Sequence, residues 1–281
     1  MSAPFDPNHR DNFCYRHPDR QSFVLCQRCG RTICPECQTQ APVGSICPEC
    51  MKAARGAVPK RSPVRRLRAR LGAGAPVVTY SIIAVTALLW LVGLIPGVDL
   101  AQPLAYTSAF LTPEHFEPWR LFTATLVHGS IFHVGFNMLT LWLFGRVLEP
   151  AYGWWRFLLL WVAAALGGSM LVTIIAPDTA VIGASGAVFG LFGAYFTVMR
   201  EMRMNTTSLL VLVGMNIVLG FVVPGIAWQA HIGGLLVGLA AGWLLGRDRA
   251  DSLGKRIRGG VGVGVLGLVC ALVSVAVVQL T

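Results

Sequence analysis

Charge is scarce in this sequence. Of 281 residues only 13% are Asp, Glu, Lys or Arg, against 54% hydrophobic, and the mean hydropathy is +0.62. Soluble globular domains carry about 25% charged residues, so an ordinary soluble enzyme is excluded. Negative charge is the scarcer sign: 13 acidic residues face 23 basic ones, for a net charge of +10. The N-terminus has no apolar h-region, and no cleavable signal peptide is expected. An ATP-binding loop and a dinucleotide fingerprint are missing too.

What is present divides into two parts. Residues 1–70 are polar and basic, whereas 76–281 consist mostly of apolar runs. A small soluble module followed by a membrane domain is expected. Eight Lys/Arg fall between Lys52 and Arg70, just before the first apolar run. The cytoplasmic flank of a membrane helix accounts for such a cluster better than a nucleic-acid patch does, so no nucleic-acid partner is expected.

Seven of the eight cysteines lie in residues 14–50. With one histidine they form four pairs: Cys14-x2-His17, Cys26-x2-Cys29, Cys34-x2-Cys37 and Cys47-x2-Cys50. A two-residue gap lets both side chains of a pair converge on one tetrahedral ion, and eight N/S ligands fill two structural Zn2+ sites with no open position. Disulfides fit poorly, because seven cysteines leave one over and the basic flank places the segment in a reducing compartment. Four residues separate Cys29 from Cys34, a gap that favours interleaved sites. One ion then takes Cys14, His17, Cys34 and Cys37; the other takes Cys26, Cys29, Cys47 and Cys50. This order resembles a B-box type zinc finger, except that the last pair is Cys/Cys where that family often has His. Closed sites imply a platform for a cytoplasmic protein partner and no metal catalysis. Cys270, alone in the last apolar run, reads as packing.

A membrane crossing needs about 20 mainly apolar residues. Seven spans are read, at 76–96, 120–144, 154–176, 183–200, 206–223, 226–246 and 260–280, separated by Pro/Gly or charge breaks that include Pro150. With the N-terminus inside, 17 Lys/Arg gather on one side, while loops 97–119, 177–182 and 224–225 contain none and Arg120 stands at a border. The positive-inside rule then puts the N-terminus in the cytoplasm and the C-terminus outside.

Strongly polar side chains inside spans are costly and ask for a reason. The second span carries His128, His133 and Asn137, the fourth opens Gly183-Ala184-Ser185-Gly186, the fifth holds Asn216, and the sixth begins Ala230-His231. Taken singly, each reads as an interhelical hydrogen bond or a helix cap, and Asn216 keeps that reading. Taken together, the others fall at one shallow level near the outer face. Serine beside a neutral imidazole suits acyl transfer. No Asp or Glu lies at matching depth, so a dyad is expected rather than a triad. The flanking glycines permit a sharp entry and close approach, and the helix start offers backbone N–H groups to an oxyanion.

These residues resemble the rhomboid intramembrane serine proteases. Gly183-Ala184-Ser185-Gly186 is similar to their G-x-S-G motif, and Ala230-His231-x-x-Gly234-x-x-x-Gly238 to their sixth-span motif. His128, His133 and Asn137 match H-x4-H-x3-N, and Trp119-Arg120 matches the first outer loop. The resemblance covers about residues 76–246. It implies a Ser185 nucleophile, a His231 base, and an oxyanion hole from His133, Asn137 and the Ser185 N–H. His128, Gly183, Gly186 and Phe189 would be supporting residues; Phe189 stands where many relatives have a Tyr packed on the histidine. Trp119 and Arg120 would scaffold the loop. Gly234 and Gly238 would bring the sixth helix against the fourth.

The architecture expected is an all-α membrane protein: a six-helix rhomboid-type bundle (76–246), a basic loop (247–259) and a seventh C-terminal helix (260–281). A B-box-like zinc domain (1–52) and a basic linker (53–75) precede it. Substrates would be other transmembrane proteins whose helices unwind near the outer interface, in a multi-pass protein of a bacterial plasma membrane. The competing readings are a silent client-binding relative, a membrane-anchored ubiquitin-ligase-like scaffold and a transporter.

Overall fold

The structure is a computed structural model, and it describes residue 6, residues 9–41, 43–56, 75–223, 225–247 and 253–280. The chain divides into two compact units, Met1–Arg66 and Leu67–Thr281. Most of the expected basic linker and part of the 247–259 loop lie outside the described residues.

The first unit is built on its cysteines. Cys14, Cys26, Ile33, Cys34, Cys37 and Cys47 form its small core. Around them run a two-residue antiparallel ladder, β1 (Thr39–Gln40) with β2 (Ser45–Ile46), and one helix, α1 (Pro48–Gly56). Gly30, at φ +74, closes the Cys26–Cys29 knuckle, and its N–H donates to the Cys26 carbonyl at 2.8 Å.

The described residues of the second unit are mainly helical. The elements are α2 (Val77–Gly93), α3 (Ala101–Leu104), α4 (Arg120–Thr123), α5 (Ile131–Tyr152), α6 (Trp154–Ile175), α7 (Ser185–Glu201), α8 (Thr207–Val222), α9 (Trp228–Arg247) and α10 (Leu253–Leu280). Setting aside the two four-residue helices, these are six bundle helices and a seventh. The described residues contain four helices long and apolar enough to cross a membrane: α5, α6, α9 and most of α10; α2 and α8 are shorter apolar helices. Helix α7 belongs to neither group. Eleven of its 17 residues are buried, so it is the central helix, wrapped by protein. Its core partners include Leu141, Leu160, Trp161 and Val237.

The second expected span needs correction. Residues 120–144 are not one helix: α4 passes into a 3-10 turn (Ala124–Leu126), the chain extends, and α5 starts only at Ile131. Gly129-Ser130 causes the break, with the Ser130 hydroxyl accepting from the His133 N–H at 3.1 Å as an N-cap. Pro150 is not a separator either. It sits inside α5, two residues before its end, and Gly153 at φ +88 ends the helix.

Candidate active site and metal centres

The serine loop is shaped by glycine. Gly183 adopts φ +107, a backbone conformation that L side chains rarely take, and a Cβ there would strike the His133 imidazole. Two neighbours hold the loop: the Gly183 N–H donates to the Ala124 carbonyl at 2.8 Å, and the Ala184 N–H donates to His128 Nε2 at 3.3 Å. Helix α7 then begins at the half-buried Ser185 without a side-chain cap. Its first-turn amides have no carbonyl one turn back to accept from them.

Small residues set the helices around it. A Cβ on Gly234 would fall on the Gly186 carbonyl, one on Gly238 on Gly190, and one on Gly242 against Ala194. The pairs step by four on both chains in the same direction, so α7 and α9 run parallel and in register at backbone contact. Ser185 and His231, each in the first turn of its helix, therefore share one end of the pair. From α6, Gly168 closes the third side against Ala230 and Gly186.

His231 is 8% exposed and lies flat on the Phe189 ring, with centroids 4.2 Å apart and planes at 7°. Its Nδ1 has no hydrogen-bond partner. His128 lies in the extended stretch before α5, and its ring meets His133 edge-on at 4.9 Å. His133 thus abuts the serine loop through Gly183. Asn137 donates one amide hydrogen to the His133 carbonyl at 2.8 Å, which leaves its second amide hydrogen uncommitted to the helix.

Arg120 ties together the long loop between α2 and α5: it donates to the Gln102 and Ala105 carbonyls at 2.7 and 2.9 Å and covers the Phe110 ring. Glu117, which the sequence reading passed over, accepts from Arg120 Nε at 2.5 Å. Glu149 was also missed. Buried in α5, its carboxylate accepts from the Val78 and Thr79 N–H groups and the Thr79 hydroxyl, all at 2.8 Å, and so caps α2.

In the first unit the two expected ligand sets assemble as the spacing argued. Cys14, His17, Cys34 and Cys37 form one group and Cys26, Cys29, Cys47 and Cys50 the other, with ligand atoms within 4.8 Å of one another. His17 presents Nδ1, at 3.3 Å from the Cys34 sulfur and 3.8 Å from that of Cys14. Tetrahedral Zn–S bonds of about 2.3 Å require ligand separations of about 3.8 Å, so the geometry fits. The thiols also compete for protons. Burial opposes ionisation of Cys14, yet backbone N–H donors led by Cys34 bring it down to about 6; Cys26 reaches about 6 in the same way, with Cys47 the leading donor. Burial pushes Cys37 up to about 11, and the Cys47 thiol beside it pushes Cys50 up to about 12. A divalent cation relieves that crowding.

The Rhomboid domain family matches residues 115–248. The chain is 33% identical over 177 residues to the putative rhomboid protease YdcA of Bacillus subtilis, covering 86% of that protein and 60% of its own length. The chain belongs to the rhomboid family. It is also 40% identical to the rhomboid protease GluP of Bacillus subtilis over half of its own length, and 36% identical to RHOMBOID-like protein 4 of Arabidopsis thaliana over 46%. Of those two relatives it covers only 29% and 34% of their lengths. Membership and the apolar helices make it a multi-pass membrane protein with a rhomboid helical bundle. The matched stretch contains both the serine loop and His231; α2, α10 and the cysteine-rich unit lie outside it.

Proposed function

We propose that this rhomboid is an intramembrane serine endopeptidase that uses Ser185 and His231 as a dyad. One observation carries the reading: a half-buried serine on a glycine-shaped loop and a stacked, buried histidine share one end of two helices in backbone contact. Ser185 Oγ attacks the scissile carbonyl while His231 takes its proton. The oxyanion receives donors from His133, Asn137 and the Ser185 N–H, each commonly worth about 3–4 kcal/mol of barrier. For that, Asn137 uses the amide hydrogen not spent on its own helix. His231 then protonates the leaving amine, and water hydrolyses the acyl-enzyme through the same base.

The substrates are other transmembrane proteins, cut where small or helix-breaking residues let the backbone open near the outer interface. The N-terminus lies in the cytoplasm and the C-terminus outside, in a bacterial plasma membrane. Residues 1–52 form a zinc domain, 53–75 its linker, 76–246 the catalytic bundle, 247–259 a cytoplasmic loop and 260–281 the seventh span. Two Zn2+ ions, held by Cys14, His17, Cys34 and Cys37 and by Cys26, Cys29, Cys47 and Cys50, cross-link the first unit. That unit recruits or regulates through a cytoplasmic partner.

The test is fluorophosphonate labelling of the detergent-purified protein. Wild type is expected to label, and Ser185→Ala and His231→Ala are expected to abolish it. A folded, monodisperse wild type that does not label would refute the protease reading in favour of a client-binding rhomboid.

A further inference from the structure

A second, smaller core lies between the long α2–α5 loop and α10. It consists of Tyr106, Leu111, Leu121 and Ala124, none more than 3% exposed, and Ala271, Val275 and Val278 of α10 pack against it. Positions 271, 275 and 278 recur at four and three residues, so they occupy one helical face. One residue on, the Gln279 amide donates to the Leu111 carbonyl at 3.4 Å.

That core is attached to the serine loop at two points. Tyr106 and Val181 exchange backbone hydrogen bonds, at 3.0 and 2.8 Å, and Val181 stands two residues before Gly183. Ala124 accepts the Gly183 N–H itself, at 2.8 Å. From behind, the Ser169 hydroxyl of α6 donates to the Leu121 carbonyl at 2.8 Å, and the Tyr106 hydroxyl bonds Thr173. Hydrogen bonds thus tie the small core to the serine loop and to α6, while its packing contacts come from Leu166 of α6 and from α10. Lipid in place of α10 would satisfy the apolar surface equally well, since helix association in a bilayer rests on packing and not on hydrophobicity. It would not hold a shape. The rest of α10 is anchored independently: Gly260 is crowded by Trp155 and Gly267 meets Ala163.

We propose that the C-terminal turns of α10 are a positioning element for the serine loop, with Ala271, Val275 and Val278 acting through Tyr106 and Ala124 on Gly183-Ala184-Ser185. The inference rests on Ser185 being the nucleophile. None of these residues touches substrate, so they position the site and do not catalyse.

The test compares the full chain with Val275→Ala/Val278→Ala, with Gln279→Leu, and with Val265→Ala, a control at an exposed α10 position. Two readouts are taken: the second-order rate of fluorophosphonate labelling, and amide exchange at Tyr106, Val181 and Gly183. The double variant is expected to label roughly 2- to 30-fold more slowly, with faster exchange at those amides and unchanged exchange in α7 and α9. Val275→Ile and Val265→Ala should behave as wild type. Wild-type exchange at the three amides in the double variant overturns the proposal, whatever the labelling. If wild type itself does not label, the protease reading fails, and the exchange result still decides whether α10 holds the loop. Should the double variant not fold, Gln279→Leu carries the same comparison.

Discussion

His231 and Phe189 meet face to face, and that contact sets the tilt of an imidazole whose Nδ1 has no partner. In a dyad the flat ring takes the orienting role that a carboxylate has in a triad. Phe189→Leu nearly conserves volume, a change that usually costs under about 1.5 kcal/mol, but it removes the flat face. It is expected to slow fluorophosphonate labelling about 10- to 100-fold, the scale of a misplaced catalytic group, while Phe189→Tyr retains labelling. A Leu variant that labels at the wild-type rate would remove the positioning role. The candidate residues at this scale were legible because local spacing carries them. Ser185 sits between glycines, Phe189 follows one turn later, and each cysteine pair is two residues apart. The amide of Asn137 was not legible, since its bond to the His133 carbonyl lies within its own helix and leaves no trace in residue type.

Helix α9 approaches α7 so closely that backbone atoms, not side chains, form the seam. A Cβ added at Gly234 meets the carbonyl of Gly186, which no rotamer change can move. Gly234→Ala is therefore expected to lower the thermal midpoint in detergent, by about 1–3 kcal/mol of stability or more, and to abolish labelling. Gly135→Ala, in α5 with nothing within 4 Å of the added carbon, is the matched control and should do neither. Equal melting of the two variants would refute the seam. Gly234 and Gly238 were readable at their four-residue spacing, but the α6 glycines that meet Gly233 and Ala230 of α9 were not, because Gly167-Gly168 looks like any flexible pair inside an apolar run. The seven main helices among the described residues were legible from apolar run lengths, although only four of them are long and apolar enough to cross a membrane. The interruption of the second was hidden, because Leu126-Val127 and Ile131-Phe132 carry the apolar run past His128-Gly129-Ser130. Glu149 shows the same limit. An acid near a helix end reads as solvated, whereas here it caps a helix about 70 residues earlier in the chain.

At the scale of the whole chain, the two compact units are stabilised by different means. The bundle buries a continuous core of aliphatic and aromatic side chains. In the first unit a two-residue ladder and a nine-residue helix surround a core of five cysteines and Ile33. Below about 70–80 residues a single core rarely supplies more than about 3–5 kcal/mol, and small domains add disulfides or a structural metal; the seven cysteines of this unit are all free thiols. Metal binding by such a unit amounts to its folding free energy, about 10–16 kcal/mol for structural zinc in zinc-finger peptides at neutral pH. Two equivalents of zinc per chain are therefore expected by mass spectrometry of the purified protein. Stripping them with a strong chelator should unfold the unit and speed tryptic cleavage after the already exposed Arg20, Arg28 and Arg31, while labelling of Ser185 continues at its original rate. That combination separates recruitment from regulation, because a small soluble probe needs no recruiting. Were labelling to fall as zinc leaves, the first unit would control the active site directly; were trypsin resistance to survive chelation, the unit would fold without metal and its ligand sets would need another explanation.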